Sequence, residues 1–184
     1  MTALKPLGDV ALATDLVRLE LFKLEHIEPL RAACAQDPDI WEIYPVCMMD
    51  THFDRAIAHM MSMTDHPLFA VIHQPSDEVV GMSSYINPSK DGVVEIGGTY
   101  IAPSVRGTGV NSEMKRLMLD HAFGCGYHKV EFRVDTRNKR SVAAVLKLGA
   151  QQEGVLRKNR VTWTGYVRDT AVFGLLREEW GNSR

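Results

Sequence analysis

The sequence has little cysteine and no paired cysteine. Cys34, Cys47 and Cys125 are odd in number, lie far apart and form no CxxC, which argues against a disulfide framework and a thiolate zinc site. They read as free thiols in a reducing compartment. Histidines stand at 26, 52, 59, 66, 73, 121 and 128 with no HxxxH among them, so no metal is expected. No apolar run approaches the ~20 residues of a membrane span. The opening, MTALKPLGDVALATDLVRLE, carries charges and a proline where a secretory signal keeps an unbroken apolar block. The chain therefore reads as cytoplasmic, with no membrane partner. Net charge is also small. Lys and Arg number 21 against 23 Asp and Glu, a balance of −2. No basic stripe interleaves with aromatics, which argues against nucleic acid. Internal repeats, low-complexity tracts and Pro/Ser-rich linkers are missing too.

What is present suits one domain. The 184 residues are 45% hydrophobic and 24% charged, an ordinary globular balance with enough chain for a sizeable core. A single domain over 1–184 is expected, with 1–13 as a loosely ordered extension. The charge is unevenly placed. Residues 1–100 hold 6 basic against 15 acidic side chains, and residues 127–160 hold 9 against 3. The basic stretch suits an anionic ligand, and the acidic half suits a cationic one.

Periodicity gives an element order. Val17–Phe22 alternates as a first strand. Two helices follow, His26–Gln36 and the Met-rich Asp50–Met63. Leu68–Gln74 and Glu78–Asn87 form a hairpin around Pro75-Ser76-Asp77, and Val93–Ala102 is a further strand. Val110–Gly124 is an amphipathic helix, Lys129–Asp135 a strand and Asn138–Leu148 a helix stopped at Gly149. Ala150–Arg157 and Val167–Leu176 are two last strands. This order predicts a mixed sheet with helices on its faces.

The loop Val105-Arg106-Gly107-Thr108-Gly109-Val110-Asn111 joins a strand to a helix. Successive amides there, added to the helix dipole, make an anion cradle, and glycine lets the backbone approach phosphate closely. It lacks the GxxxxGK[ST] of a Walker loop and the third glycine of a dinucleotide fingerprint. A plain structural turn explains a short RGxG equally well.

The wider context adds to this. Glu95–Gly154 resembles the GNAT superfamily of acyl-CoA N-acyltransferases, and specifically its RimJ/RimL-type branch. The matching pieces are EIGGTYIAP at 95–103, RGTGV at 106–110, EMKRLMLDHAF at 113–123, NKRS at 138–141 and KLGAQQEG at 147–154. RDTAVFGLLREEW at 168–180 also resembles that branch. The resemblance runs from about residue 14 to Trp180 and is specific from Glu95 onward.

It implies an α/β (α+β) fold: one mixed sheet of about seven strands, helices on both faces, splayed between the fourth and fifth strands. It implies acetyl-CoA as cosubstrate, with the pyrophosphate on the amides of Arg106, Gly107, Thr108, Gly109 and Val110, next to Asn111. The strand Thr99–Ala102, with Tyr100, Ile101 and Ala102, would pair with the pantetheine arm, and Gly97-Gly98 is a bulge site. Asn138 would reach the thioester region or cap its helix. Ser141 would protonate the departing thiolate, or merely cap and pack. Arg137, Lys139 and Arg140 would face adenosine phosphates or solvent.

The sequence departs from the Rim-type pattern at the base. Arg160 stands where that branch carries a glutamate, and an arginine cannot accept a proton. Glu95 is the replacement, with Asp135 and Asp169 as lesser candidates and Tyr100 as a conceivable acid. Trp41, Tyr44, Phe53, Trp163 and Tyr166 are candidate walls of the acceptor pocket, or core. The resemblance implies acetyl transfer to a primary amine such as a protein N-terminus. The rivals are a small amine or antibiotic, a non-catalytic acyl-CoA binder, and a nucleotide binder without CoA. A homodimer is common in the branch.

Overall fold

The structure, a computed structural model, describes residues 3–8 and 10–182. The strands are β1 Leu12–Ala13, β2 Val17–Leu21, β3 Leu68–His73, β4 Glu78–Ile86, β5 Val93–Ile101, β6 Lys129–Asp135, β7 Gln151–Val161 and β8 Val167–Leu176. Burial alternates along β2 and the start of β6, is nearly continuous in β3 and β4, and is lacking along β7. The helices are α1 Ile27–Cys34, α2 Asp50–Ser62, α3 Val110–Gly124, α4 Lys139–Lys147 and α5 Arg177–Asn182. Short 3-10 turns span Leu24–His26, Pro38–Ile43 and Pro103–Val105. Among the described residues, no helix is long and apolar enough to cross a membrane.

All eight strands form one sheet in the order β1-β2-β3-β4-β5-β6-β8-β7. Only β5 and β6 pair in parallel, and α3 supplies the crossover that such a pair requires. That ladder is short. Val93–Glu95 pairs with Lys129–Glu131, after which β5 runs to Ile101 and β6 to Asp135 with no pairing between them. This is the expected splay.

The expected bulge is present as well. Gly97 pairs with Ser84 and Tyr100 with Met82, so β5 spends three steps where β4 spends two. Gly98 takes the surplus at φ +60, a left-handed value that glycine adopts without strain.

Helices cover both faces. Tyr85 donates to the Met118 carbonyl of α3 at 2.6 Å, and Tyr100 donates to the Ala33 carbonyl of α1 at 2.8 Å. Met114, Met118 and Leu119 of α3 are fully buried, together with Phe132 and Phe173 of the sheet.

Two features differ from the sequence reading. The sheet has eight strands rather than about seven, because Leu12–Ala13 adds β1 alongside β2. The stretch expected to be a loose extension is also packed where described. Leu7 is 4% exposed, and Lys5 N–H donates to the Cys125 carbonyl at 2.9 Å. Local periodicity could not show this, because the contacts that order the segment come from α3's far end.

Candidate active site

The strand-to-helix loop behaves as its glycines require. Gly107 and Gly109 have φ of +79 and +98, and Gly109 is the N-cap of α3 with no side-chain cap. The first amides of a helix have no helical acceptor, so α3 presents them uncapped. A Cβ on Gly107 would meet nothing within 4 Å, so the loop stands open on that side. Thr108 turns its hydroxyl to the Val105 carbonyl at 2.7 Å, and Val110 is buried beneath. Asn111 is half-buried in the first turn.

Arg106 points back toward the splay instead of out to solvent. Its Nε donates to the Ile101 carbonyl at 2.9 Å, and its Nη1 pairs with Asp37 from the α1 side. Its Nη2 is buried without a partner among the described residues.

The side of β5 turned away from β4 faces the splay. Ala102 N–H bonds to Val80 across the β4–β5 pair, so Ile101 presents its main-chain groups on the opposite side. The two carbonyls exposed there are already engaged. Tyr44 donates to Thr99 O at 2.7 Å and Arg106 to Ile101 O. Each carbonyl keeps a second lone pair. Tyr100 does not reach the opening with its side chain, which is 1% exposed and stacked on Trp41 at 4.8 Å.

Glu95 stands at the fork itself, as the last residue of β5 paired with β6. Burial pushes its carboxyl pKa up, while Arg133 at 3.7 Å and the charge of Arg160 pull it back. Its carboxylate folds over Gly97, where an added Cβ would lie 2.7 Å from Oε1.

Beneath the bulge lies a residue that sequence reading missed. Lys115 is 7% exposed, and its Nζ donates to Thr99 Oγ1 at 2.7 Å and lies 5.6 Å from the centre of the Phe132 ring. It thus joins β5 to β6 where they have stopped pairing. Burial pushes its pKa down to about 7, with Glu95 opposing. The available signal was its place in the stripe Lys115, Leu119, Ala122 on an otherwise apolar helix face.

At the start of α4, Asn138 is the N-cap, and its Oδ1 accepts Ser141 N–H at 3.0 Å. Ser141 is half-buried, and its hydroxyl makes no hydrogen bond among the described residues. Arg137 is held in place, with Nη2 2.7 Å from Asp135 Oδ2 and its guanidinium 3.7 Å from the centre of the Tyr166 ring. Lys139 and Arg140 are exposed.

The expected wall residues divide into core and rim. Trp41 and Phe53 are fully buried. Trp163 and Tyr166 are exposed, Trp163 Nε1 donating to the Trp41 carbonyl at 2.7 Å with its ring tilted against that of His52 at 5.5 Å. Arg168 and Thr170 of β8 are buried, at 4% and 1% exposure. Asp169 bonds to Lys158 N–H at 2.7 Å on the far side, which separates it from Glu95's face of the sheet.

Residues 17–151 match the acetyltransferase (GNAT) domain family, which spans the sheet from β2 to the start of β7 and includes the fork and the loop. The chain belongs to the GNAT acetyltransferase family. A probable GNAT-family acetyltransferase from Chromobacterium violaceum is 30% identical, with a TM-score of 0.91 over 98% of this chain and 93% of that one. An uncharacterized N-acetyltransferase p20 from Bacillus licheniformis is 28% identical over 114 residues. That match covers 61% of this chain and 63% of the relative's length. RimJ of Mycobacterium smegmatis, solved with CoA-disulfide, shares the fold at a TM-score of 0.76 and 20% identity, over 95% of this chain and 85% of that one. At that identity the likeness is one of fold and does not select a branch within the GNAT family.

Proposed function

We propose that the chain is an acetyl-CoA-dependent N-acetyltransferase that acts on a primary amine. The observation that carries this reading is the end of the β5–β6 ladder directly after Glu95. It leaves an opening bounded by a desolvated carboxylate and leads to the uncapped N-terminus of α3.

The residues present suit the cosubstrate. Gly107 leaves open space, the α3 amides suit a diphosphate, and Thr99 and Ile101 offer main-chain groups along the opening. Bound there, acetyl-CoA supplies the carbonyl carbon to which the amine nitrogen bonds as the C–S bond breaks and sulfur leaves with the electron pair.

The chain's own groups handle two protons. Glu95 accepts the one the amine must lose, directly or through water, and its raised pKa brings it closer to that of an amine donor. The Ser141 hydroxyl, uncommitted at the start of α4, gives a proton to the departing sulfur and is reprotonated from solvent. Arg160 cannot serve as the base. The protein N-terminus implied by the Rim-type resemblance is the first acceptor to assay, followed by small amines.

The test is release of free CoA thiol from acetyl-CoA over a panel of peptides and small amines. Amine-dependent release supports the reading. Acetyl-CoA binding with no amine-dependent thiol release leaves a non-catalytic binder. ATP or GTP stabilising the protein as strongly as CoA overturns the assignment of the loop.

A further inference from the structure

Two buried polar atoms of β8 lack partners among the described residues: Arg168 Nε and Thr170 Oγ1. They lie two residues apart on β8 and therefore share one face of the sheet. That face is Glu95's. Glu95 pairs with Glu131, and along β6 the face continues through Arg133 to Asp135, which lies directly opposite Thr170.

Arg168 is 4% exposed and makes no ion pair among the described residues. The acid nearest in register is already committed. Asp135 accepts Arg137 Nη2 at 2.7 Å, Arg137 Nε at 3.1 Å and the Arg137 amide at 2.9 Å. Burial would raise its pKa, but these bonds outweigh that and hold it below the ordinary carboxylate value.

The residue directly across from Arg168 is another arginine. Arg160 of β7 pairs with Arg168 in the antiparallel register, and it too makes no ion pair among the described residues. Like charges directly opposite on neighbouring strands repel, and removing one of them from water adds a desolvation cost. Arg168 is attracted by Asp135 and Glu95 and repelled by Arg160 and Arg137. A fold that keeps two facing guanidiniums and an unpaired hydroxyl next to its opening suits an anion between them. A carboxylate fits best, because a planar guanidinium meets its two oxygens side by side while the hydroxyl donates to one of them.

We infer that Arg168, Arg160 and Thr170 form an acceptor subsite for a carboxylate, so that the acceptor is a small molecule carrying both a primary amine and a carboxylate. This rests on the acetyl-transfer reading above, in which Glu95 receives the amine proton. The carboxylate binds at β8 while the amine faces the fork, and both ends lie on one face of the sheet. The site thereby prefers a free amino-acid-type molecule to a protein N-terminus, whose first carbonyl is an uncharged amide.

The experiment compares thiol release from acetyl-CoA with three acceptors that share one amine: free amino acids, their carboxamides, and short peptides beginning with the same residue. The free acids are expected to lead by tenfold or more in kcat/KM. Thr170→Val, nearly isosteric, and Arg160→Gln, on an exposed strand, should each shrink the ratio of acid to carboxamide while leaving CoA binding by calorimetry unchanged. Arg168→Lys keeps the charge but loses the fork, and should shrink the ratio further. Carboxamides or peptides acetylated as fast as the acids overturn the subsite and leave acetyl transfer standing. Variants that slow acids and carboxamides equally also overturn it. Thiol release with none of the three but with a simple small amine overturns this subsite and leaves acetyl transfer standing, whereas no release with any amine at all, while acetyl-CoA binds, overturns both.

Discussion

Lys115 Nζ donates to Thr99 Oγ1 at 2.7 Å, and the same hydroxyl lies 2.8 Å from Ser83 Oγ. Because Tyr44 also holds the Thr99 carbonyl, the surplus segment of the β5 bulge is gripped from the core and from the opening at once. The grip has an electrostatic cost. The lysine titrates near 10.5 when unfolded and at about 7 in the fold.

Stability should therefore depend on pH through this group. Between about 7 and 10.5 the unfolded chain holds a proton at Lys115 that the folded chain has released. Its contribution thus rises with pH across that window, by up to about 1.4 kcal/mol per pH unit, and its full penalty applies below the window. Urea unfolding at several pH values measures the slope. Lys115→Met should flatten it. A slope that the substitution leaves unchanged would mean that the amine keeps its proton in the fold.

Gly109→Val should weaken CoA binding. Valine at φ +98 is strained, and its Cβ would lie 3.4 Å from Leu16 Cδ2, so the turn that leads into the free α3 amides would have to shift. A loss of about 2 kcal/mol, roughly thirtyfold in Kd, is expected. Calorimetry with CoA on a variant of normal thermal stability reads this. An unchanged Kd removes the loop from the site.

Glu95→Gln should lower kcat at neutral pH by about 10²-fold, the usual scale for losing a general base. Alkaline buffer should restore part of the rate as the amine loses its own proton. In the unaltered enzyme the acidic limb of the pH–rate profile should lie above an ordinary carboxylate's, because burial raises Glu95. An identical profile for the glutamine variant reduces Glu95 to a structural residue.

Ser141→Ala and Asn138→Ala should separate chemistry from capping. The alanine at 141 lowers kcat with little change in acetyl-CoA affinity, since the amide bonded to Asn138 is retained. The alanine at 138 removes a side-chain cap and costs about 1 kcal/mol of stability. Wild-type kcat in Ser141→Ala would return that serine to the packing of α4.

Local pattern located α3, β6 and β8 to the residue, and it located the Gly98 bulge to within one position. These signals are strong because each is set by neighbours in sequence: a 3.6-residue stripe, strict alternation, or a glycine that must take positive φ. The parts that were not legible depend on distant partners. Leu7 is buried by contacts that no short window contains. Tyr100 reads from the sequence as either core or a pantetheine contact, and what places its side chain in the core is distant in sequence: its ring stacks on Trp41 and its hydroxyl donates to Ala33 O. The facing of Arg160 and Arg168 follows from the β7–β8 register. That register slips between Leu156 and Arg160, so counting residues from the turn could not reveal it.

The strand order has a consequence for how the chain comes together as it is made. β8 sits between β6 and β7, although both precede it in sequence. Until Val167–Leu176 has emerged, β6 has a bare edge on the side away from the fork and β7 has nothing to pair with. A nascent chain halted just short of Val167 thus lacks Phe173 and Leu175 beside Phe132 and Val130 and leaves the main-chain edge of β6 unpaired, open to sticky encounters with other chains. Closure of the sheet is then a late event, dependent on contacts far apart along the chain. The same ten residues that finish the sheet bring in Arg168 and Thr170, so the proposed carboxylate subsite is assembled last.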